Sequence, residues 1–564
     1  MLRTVAAVVV ALAPSLALAC GCFAAPDPTV PVVQAGERIV FAVKNGQVTA
    51  HVQVLYDGSS GQPFGWLVPL PAVPTLSVGT DEFFAELNLA TQPRYVLNRT
   101  FAESCQFASF GGAAGGMAGG GSSGAGGGAA GGSPLVAREI VGPYDSAVLR
   151  GDSKDAMLTW LRDNRFFVPS TSDAALAPYI NPGSYFLALK LRPGAGTGDL
   201  QPIVMKYQSD VGQIPLTLTS IGAVENMGVQ VFMLGSGRAV PRNYHHTVIN
   251  DAYIDWLRGA QNYTSVITRA VGEAPGKHSF VTEYAGPPSI VTDRFPQTGR
   301  FGTKAALAAQ QTAQAFLSHL WSNGFTALSL SGSTAIPNQI PGPLLAILQR
   351  YLPPPPNIAP SQFYFFYGSF SAQAPPQNFQ PAMMADEIWE RVVVPAQEAR
   401  ALLTENPTLT RLFTTISPAD MNKDPAFSFN PTLAPVSNVH QATLTQRCNA
   451  SGTALADAVL TTEQGWVLYL PDQVNPSLGA TPPPTSLRIE VLPEEGAPMV
   501  LTDNSGLMGS VPAVPPLPEV PPAFQPDALP DASTPHRTRG CQTGVGLLAV
   551  LGVLALRAMK RSRH

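Results

Sequence analysis

Between residues 39 and 56 the chain alternates apolar and polar positions in two runs, Ile39, Phe41 and Val43, then Val48, Ala50, Val52 and Val54. A period of two puts one face of each run on a core, and Asn45-Gly46 between them supplies the positive-φ residues of a tight turn, so the pattern predicts a β-hairpin. Short runs bounded by Pro, Gly or Asp predict further strands at 64–69, 140–141, 147–149, 185–191, 203–207, 216–220 and 229–234. Two helices interrupt this first half. Thr80 caps one that continues through Phe83, Phe84 and Leu87, and another starts near Asp152 with Met157, Leu158 and Leu161 at helical spacing. From 304 the period changes: Leu307, Phe316, Leu317 and Leu320 predict an amphipathic helix over 304–322 ended by Gly324, followed by helices over 343–351 and 382–405, the last entering a turn at Asn406-Pro407. Strands return at 466–470 and 486–492. The predicted class is α+β, with a β-rich N-terminal half, a helix-rich middle and short C-terminal strands.

Segments without periodicity divide the chain. Residues 1–19 read as a signal peptide, with Arg3, an apolar stretch from Val5 to Ala13, and Ala17-Leu18-Ala19 before the cleavage point. Residues 20–300 form a β-rich domain carrying a glycine-rich insertion at 111–132, which is too poor in large apolar side chains to pack and is expected to be mobile. Residues 301–507 are a helical and mixed region packed on it. A proline-rich spacer at 508–540 follows, expected to be extended and disordered. The tail, 541–564, opens at Cys541 and carries an apolar run over 545–556 closed by Arg557, Lys560, Arg561 and Arg563. At 1.5 Å per residue, the stretch from Thr543 to Met559 spans about 26 Å, the short limit for crossing a bilayer, with the basic end cytoplasmic. The chain is thus expected to be exported and held at the cell envelope or surface by this tail.

Composition narrows the function. Charged residues are only 13% of the chain, the formal net charge is −4, and 55 prolines and 51 glycines favour strands, turns and ordered loops. No basic footprint for nucleic acid is present. Export places the five cysteines in an oxidising compartment. Cys20, Cys22, Cys105 and Cys448 lie in or beside the fold and are expected to form two disulfides, with a Cys20–Cys22 bridge the least favoured of the three pairings because its ring is strained. Cys20 is also the first mature residue, so a lipid there is the alternative, and would leave one bridge.

Several short motifs then carry a likeness. They are Cys20-Gly21-Cys22-Phe23, Glu37-Arg38-Ile39-Val40-Phe41, Gly65-Trp66-Leu67-Val68-Pro69-Leu70-Pro71, Thr91-Gln92-Pro93, Gly142-Pro143-Tyr144-Asp145, the run from Gly183 to Leu191, Asp199-Leu200-Gln201-Pro202-Ile203, and Phe280-Val281-Thr282-Glu283-Tyr284-Ala285-Gly286-Pro287. As a set they resemble the bacterial domain-of-unknown-function 2330 family of exported proteins. Leu409-Thr410-Arg411-Leu412, Ser417 to Met421 and Asp424-Pro425 resemble its longer members. The family implies no activity. The tail is similar to the myxobacterial C-terminal sorting signal, in which Cys541 would precede a processed apolar helix; an ordinary single-span anchor is the alternative.

Motifs for chemistry are sparse. Gly-x-Ser-x-Gly at 120–124 falls inside the glycine tract, where no strand and helix can present the serine. Gly272 to Ser279 is one residue short of a phosphate-binding loop and has His278 where Ser or Thr is needed, so no nucleotide is expected. His245-His246, with Asp251 and Asp255, is the one local group of potential ligands, but adjacent strand residues face opposite sides, which predicts one buried and one exposed histidine. Glu283 and the two aspartates are expected to serve structural hydrogen bonds, and the six tryptophans to pack in cores. No catalytic, cofactor-binding or metal residue is assigned. The expected function is a non-enzymatic, surface-displayed binding or structural module that meets the membrane through its tail and a protein or polysaccharide elsewhere. The alternative is a hydrolase acting on an envelope polymer, which requires His245 or His246 to meet Asp251, Asp255 or Glu283.

Overall fold

A computed structural model describes residues 33–57, 65–103, 105, 135–164, 166, 172–192, 200–295, 299–331, 334–373, 379–449 and 454–516. The expected signal peptide, Cys20, Cys22, the glycine tract, most of the proline-rich spacer and the tail with Cys541 lie outside these residues. The predicted hairpin is present as strands Val33–Lys44 and Gln47–Asp57, joined by Asn45 at φ 54° and Gly46 at φ 73°. It sits in a ten-stranded sheet whose order is Met499–Asp503, Ser486–Val491, His245–Ile249, Ser279–Gly286, Thr408–Ile416, Ala223–Gly235, Val33–Lys44, Gln47–Asp57, Ile203–Gln208 and Thr75–Val78. The first hairpin strand runs parallel to Ala223–Gly235, and Thr408–Ile416 lies between Ala223–Gly235 and Ser279–Gly286. The segment after residue 301 thus supplies a central strand of the sheet that the first half builds.

Both faces of this sheet are covered, so its central strands are buried on both sides. Ile39 and Phe41 point to a second sheet of four strands, Gly65–Leu70, Tyr185–Leu191, Tyr144–Arg150 and Leu135–Val141. Val40, Ala42, Phe232 and Leu234 point the other way, onto the helices Asp81–Thr91, Ala313–Ser322, Gly342–Tyr351, Pro381–Ile388 and Val394–Glu405. The outer face of the second sheet is closed by the helix Lys154–Asp163, through Met157, Leu158 and Leu161. A third core joins the helix Tyr263–Gly272 to a further four-stranded sheet, Val467–Leu470, Leu455–Thr462, Val439–Cys448 and Arg94–Phe101. The architecture is α+β, β-rich first and helical in the middle. Among the described residues no helix is long and apolar enough to cross a membrane.

Two elements depart from the sequence expectation. Residues 216–220 are not a strand: Leu216–Thr219 forms a helical turn, and the backbone N–H of Thr217 donates to Asp424 Oδ1 at 2.9 Å. A carboxylate 207 residues away therefore satisfies an orphan helical donor, which outweighs the strand propensity of a Leu-Thr-Leu-Thr run. The helix expected over 304–322 is two, Lys304–Ala308 and Ala313–Ser322, because Thr303 and Thr312 each cap their own start. By contrast, Pro381–Glu405 continues through Pro395 by opening a π-helical segment at Trp389–Val393, which absorbs the bond that proline cannot make.

His51, on the helical side of the sheet, is buried against Phe83 with ring centroids 5.5 Å apart, and neither ring nitrogen has a hydrogen-bond partner among the described residues. Burial, and then the charge of Lys206, hold it down to about 3 from an ordinary 6.5. A depressed folded value means that, between about 3 and 6.5, the unfolded chain binds the extra proton; stability from this group is complete above pH 6.5 and declines as pH falls. One unit below its ordinary value the loss is about 1.4 kcal/mol. His51→Leu is expected to shrink the difference in urea stability between pH 7.5 and 5.5 by about that amount; an unchanged difference would show that His51 does not titrate on unfolding.

Candidate functional site

The hairpin, the strand Ile203–Gln208 and the facing strand Gly65–Leu70 do not close completely on each other. They leave a cavity of about 260 Å³. Alternation places Ile39, Phe41, Ala50, Val52, Met205 and Tyr207 on its floor, while Trp66, Val68 and Leu70 form the opposite wall. The buried carboxylate of Glu37, two residues before Ile39 and so on the same face, is the one acid of the floor. The half-buried or exposed Tyr179, Asn181, Ser184, Ser209 and Gln213 mark the side that opens to solvent. There the Tyr179 hydroxyl donates to Asp424 Oδ2 at 2.6 Å, while the other Asp424 oxygen holds the helical turn at Thr217. Burial and the Asp424 charge raise the Tyr179 hydroxyl above its ordinary range, so it remains a neutral donor. The arrangement is an apolar chamber with aromatic walls and a polar rim, the usual make-up of a small-molecule pocket.

The residues singled out from the sequence are dispersed. His245 and His246 do face opposite sides of their strand: His245 Nδ1 meets the His278 carbonyl at 3.2 Å, while buried His246 places Nδ1 3.3 Å from Glu490 Oε2 and accepts from the Thr282 N–H at Nε2, also 3.3 Å. Burial holds His246 below its ordinary value despite the Glu490 contact, which fixes a neutral ring donating from Nδ1. Neither histidine is hydrogen-bonded to Asp251, Asp255 or Glu283 among the described residues. Asp255 caps the turn Trp256–Arg258 and pairs with Arg258 at the surface. Glu283 is buried and accepts from Tyr263 Oη at 2.7 Å and from Arg411 Nε. Lys277, in the near-miss phosphate loop, pairs with Asp420 at 2.8 Å. Cys105 and Cys448 form a disulfide between the ends of two adjacent parallel strands, a pairing the spacing left open among alternatives. Trp66 lines the cavity, Trp160, Trp256 and Trp466 are buried, and Trp321 and Trp389 are partly so.

Sequence reasoning missed one juxtaposition. Asp251 lies beside His440 and Glu463, with potential ligand atoms of all three within 4.8 Å of one another. Nothing local signalled it, since the three residues come from separate segments.

Residues 14–301 match the family described as "Uncharacterized protein conserved in bacteria (DUF2330)", and the chain belongs to that family. The matched stretch includes every lining residue of the cavity except Asp424; the likeness drawn over residues 409–425 lies beyond it. No curated protein and no solved structure matches the chain.

Proposed function

We propose that this protein is an exported, envelope-displayed binding module whose cavity between the two sheets takes a small, largely apolar molecule. The chamber between Phe41, Tyr207 and Trp66 carries the reading, because well-packed interiors leave few voids larger than a water molecule, and this one is about 260 Å³ with a polar rim. Its volume lies just under the range of about 300–1,000 Å³ that suits drug-sized ligands, which favours a single aromatic ring or a short aliphatic chain with one polar end. The apolar body would lie between the two sheets, and the polar end would meet Tyr179, Asn181 or Ser184 at the mouth. The signal peptide and the tail support display outside the membrane, and the proline-rich spacer supports a fold held away from it.

Ala50 is fully buried on the cavity floor, and Ala50→Leu extends a side chain into the void. The variant is expected to keep or gain stability, by about 0.5–2 kcal/mol, as filled cavities do. It should also lose binding of small aromatic probes that quench Trp66 fluorescence in the parent chain. If the parent binds no such probe, or Ala50→Leu binds it equally well, the cavity is not the ligand site.

A further inference from the structure

We propose that Asp251, His440 and Glu463 are the three protein ligands of a divalent transition-metal ion of the zinc class. Asp251 is 1% exposed, yet neither of its carboxylate oxygens has a hydrogen-bond partner among the described residues. A buried carboxylate left without donors is costly, and such groups are ordinarily paired or bound to metal. Beside it lies Glu463, another carboxylate. Two carboxylates held near one imidazole form a site that a cation would relieve.

The backbone that carries Asp251 is held in place. The Asp251 N–H donates to Gln464 Oε1 at 3.0 Å, its carbonyl accepts from Trp256 Nε1 at 3.0 Å, and Gln464 Nε2 donates to the Ile249 carbonyl at 2.8 Å. Gln464 follows Glu463 in the turn after the strand Leu455–Thr462, where Gly465 takes φ 95°, so the same turn positions two of the three ligands. His440 stacks on Tyr95 at 4.8 Å with 15° between the planes, and its Nδ1 lies 2.8 Å from Glu463 Oε1. That contact is a hydrogen bond, and an ion held tetrahedrally by both atoms at about 2.1 Å would replace it and set them about 3.4 Å apart. The Tyr95 hydroxyl, stacked against His440, is also buried and has no partner among the described residues. Glu463 is exposed, which gives an ion a path to the site. Imidazole with two carboxylates suits zinc better than calcium or magnesium, which take oxygen shells.

The test is a zinc titration of the full chain after stripping with a chelator, followed by competition with a chromogenic zinc indicator and by thermal melting. One equivalent should bind and raise the melting temperature, calcium should not substitute, and Asp251→Asn, His440→Gln and Glu463→Gln should each weaken binding at least tenfold. His440 and Glu463 are partly exposed, so their variants decide the matter even if Asp251→Asn fails to fold. Absence of saturable binding, equal affinity in the variants, or an equal response to calcium would overturn the proposal. Equal affinity in all three would assign the zinc to other donors.

Discussion

Arg411→Met is expected to destabilise the protein by about 3–5 kcal/mol, the usual consequence of removing one member of a buried ion pair. Arg411 and Glu283 are 5% and 2% exposed and face each other across neighbouring strands of the central sheet. Glu283 is the extra residue of a bulge: Thr282 pairs with Leu412 and Tyr284 with Arg411, which leaves Glu283 unopposed and re-aims it. The guanidinium is spread over several acceptors. Its Nη1 donates to the Asn88 carbonyl at 3.2 Å and Thr91 Oγ1 at 3.4 Å, which pins the end of the helix Asp81–Thr91 to the sheet. Without it, Glu283, 2% exposed, retains only the Tyr263 hydroxyl among the described residues. The double change Arg411→Met with Glu283→Leu removes both charges and should recover most of the loss, because an apolar pair of similar volume leaves no buried ion. Denaturant midpoints of the two variants check this. A loss below about 1 kcal/mol for Arg411→Met would mean that the pair is solvated in solution.

Breaking the Cys105–Cys448 disulfide is expected to lower stability by about 2–5 kcal/mol. The bridge joins residues 343 apart in sequence, and the unfolded chain gains more freedom when a long loop is released. Within the fold it fastens Arg94–Phe101 to Val439–Cys448, parallel neighbours that carry Tyr95 and His440. Cys448→Ser should therefore reproduce, in urea denaturation, the loss that reductant causes in the parent chain, and should then be insensitive to reductant at this position. Stability unchanged by Cys448→Ser would show that the strands hold without the bridge.

Local patterns were legible wherever a short segment decides its own conformation. The hairpin at 33–57, the Thr80 cap, the helices Lys154–Asp163 and Gly342–Tyr351, and the strands Tyr185–Leu191 and Ser486–Val491 follow from periodicity, caps and turn residues in their own stretch. The α+β class follows from their sum. The strand Thr408–Ile416 was not legible as a strand, because Arg411 interrupts its apolar run, and Glu283, Asn88 and Thr91, all from distant segments, make that charge acceptable in a core. The strand Val439–Cys448 reads as polar for a similar reason, with partners supplied by Arg94–Phe101 and Leu455–Thr462.

The sites depend on the same distant meetings. The floor residues of the cavity were visible as an alternating face, but the space above them exists only because the second sheet stands off from the first. Asp251 stands close to His245 and His246 in sequence, yet His440 and Glu463, beside it in the fold, are 189 and 212 residues further along the chain. The sequence by itself determined the hairpin, the capped helices and the family likeness, since these rest on residues a few positions apart. Only the tertiary structure decided which carboxylate meets which cation, which cysteines pair and where the cavity lies, because burial and pairing are set by packing between segments and leave no period in the chain.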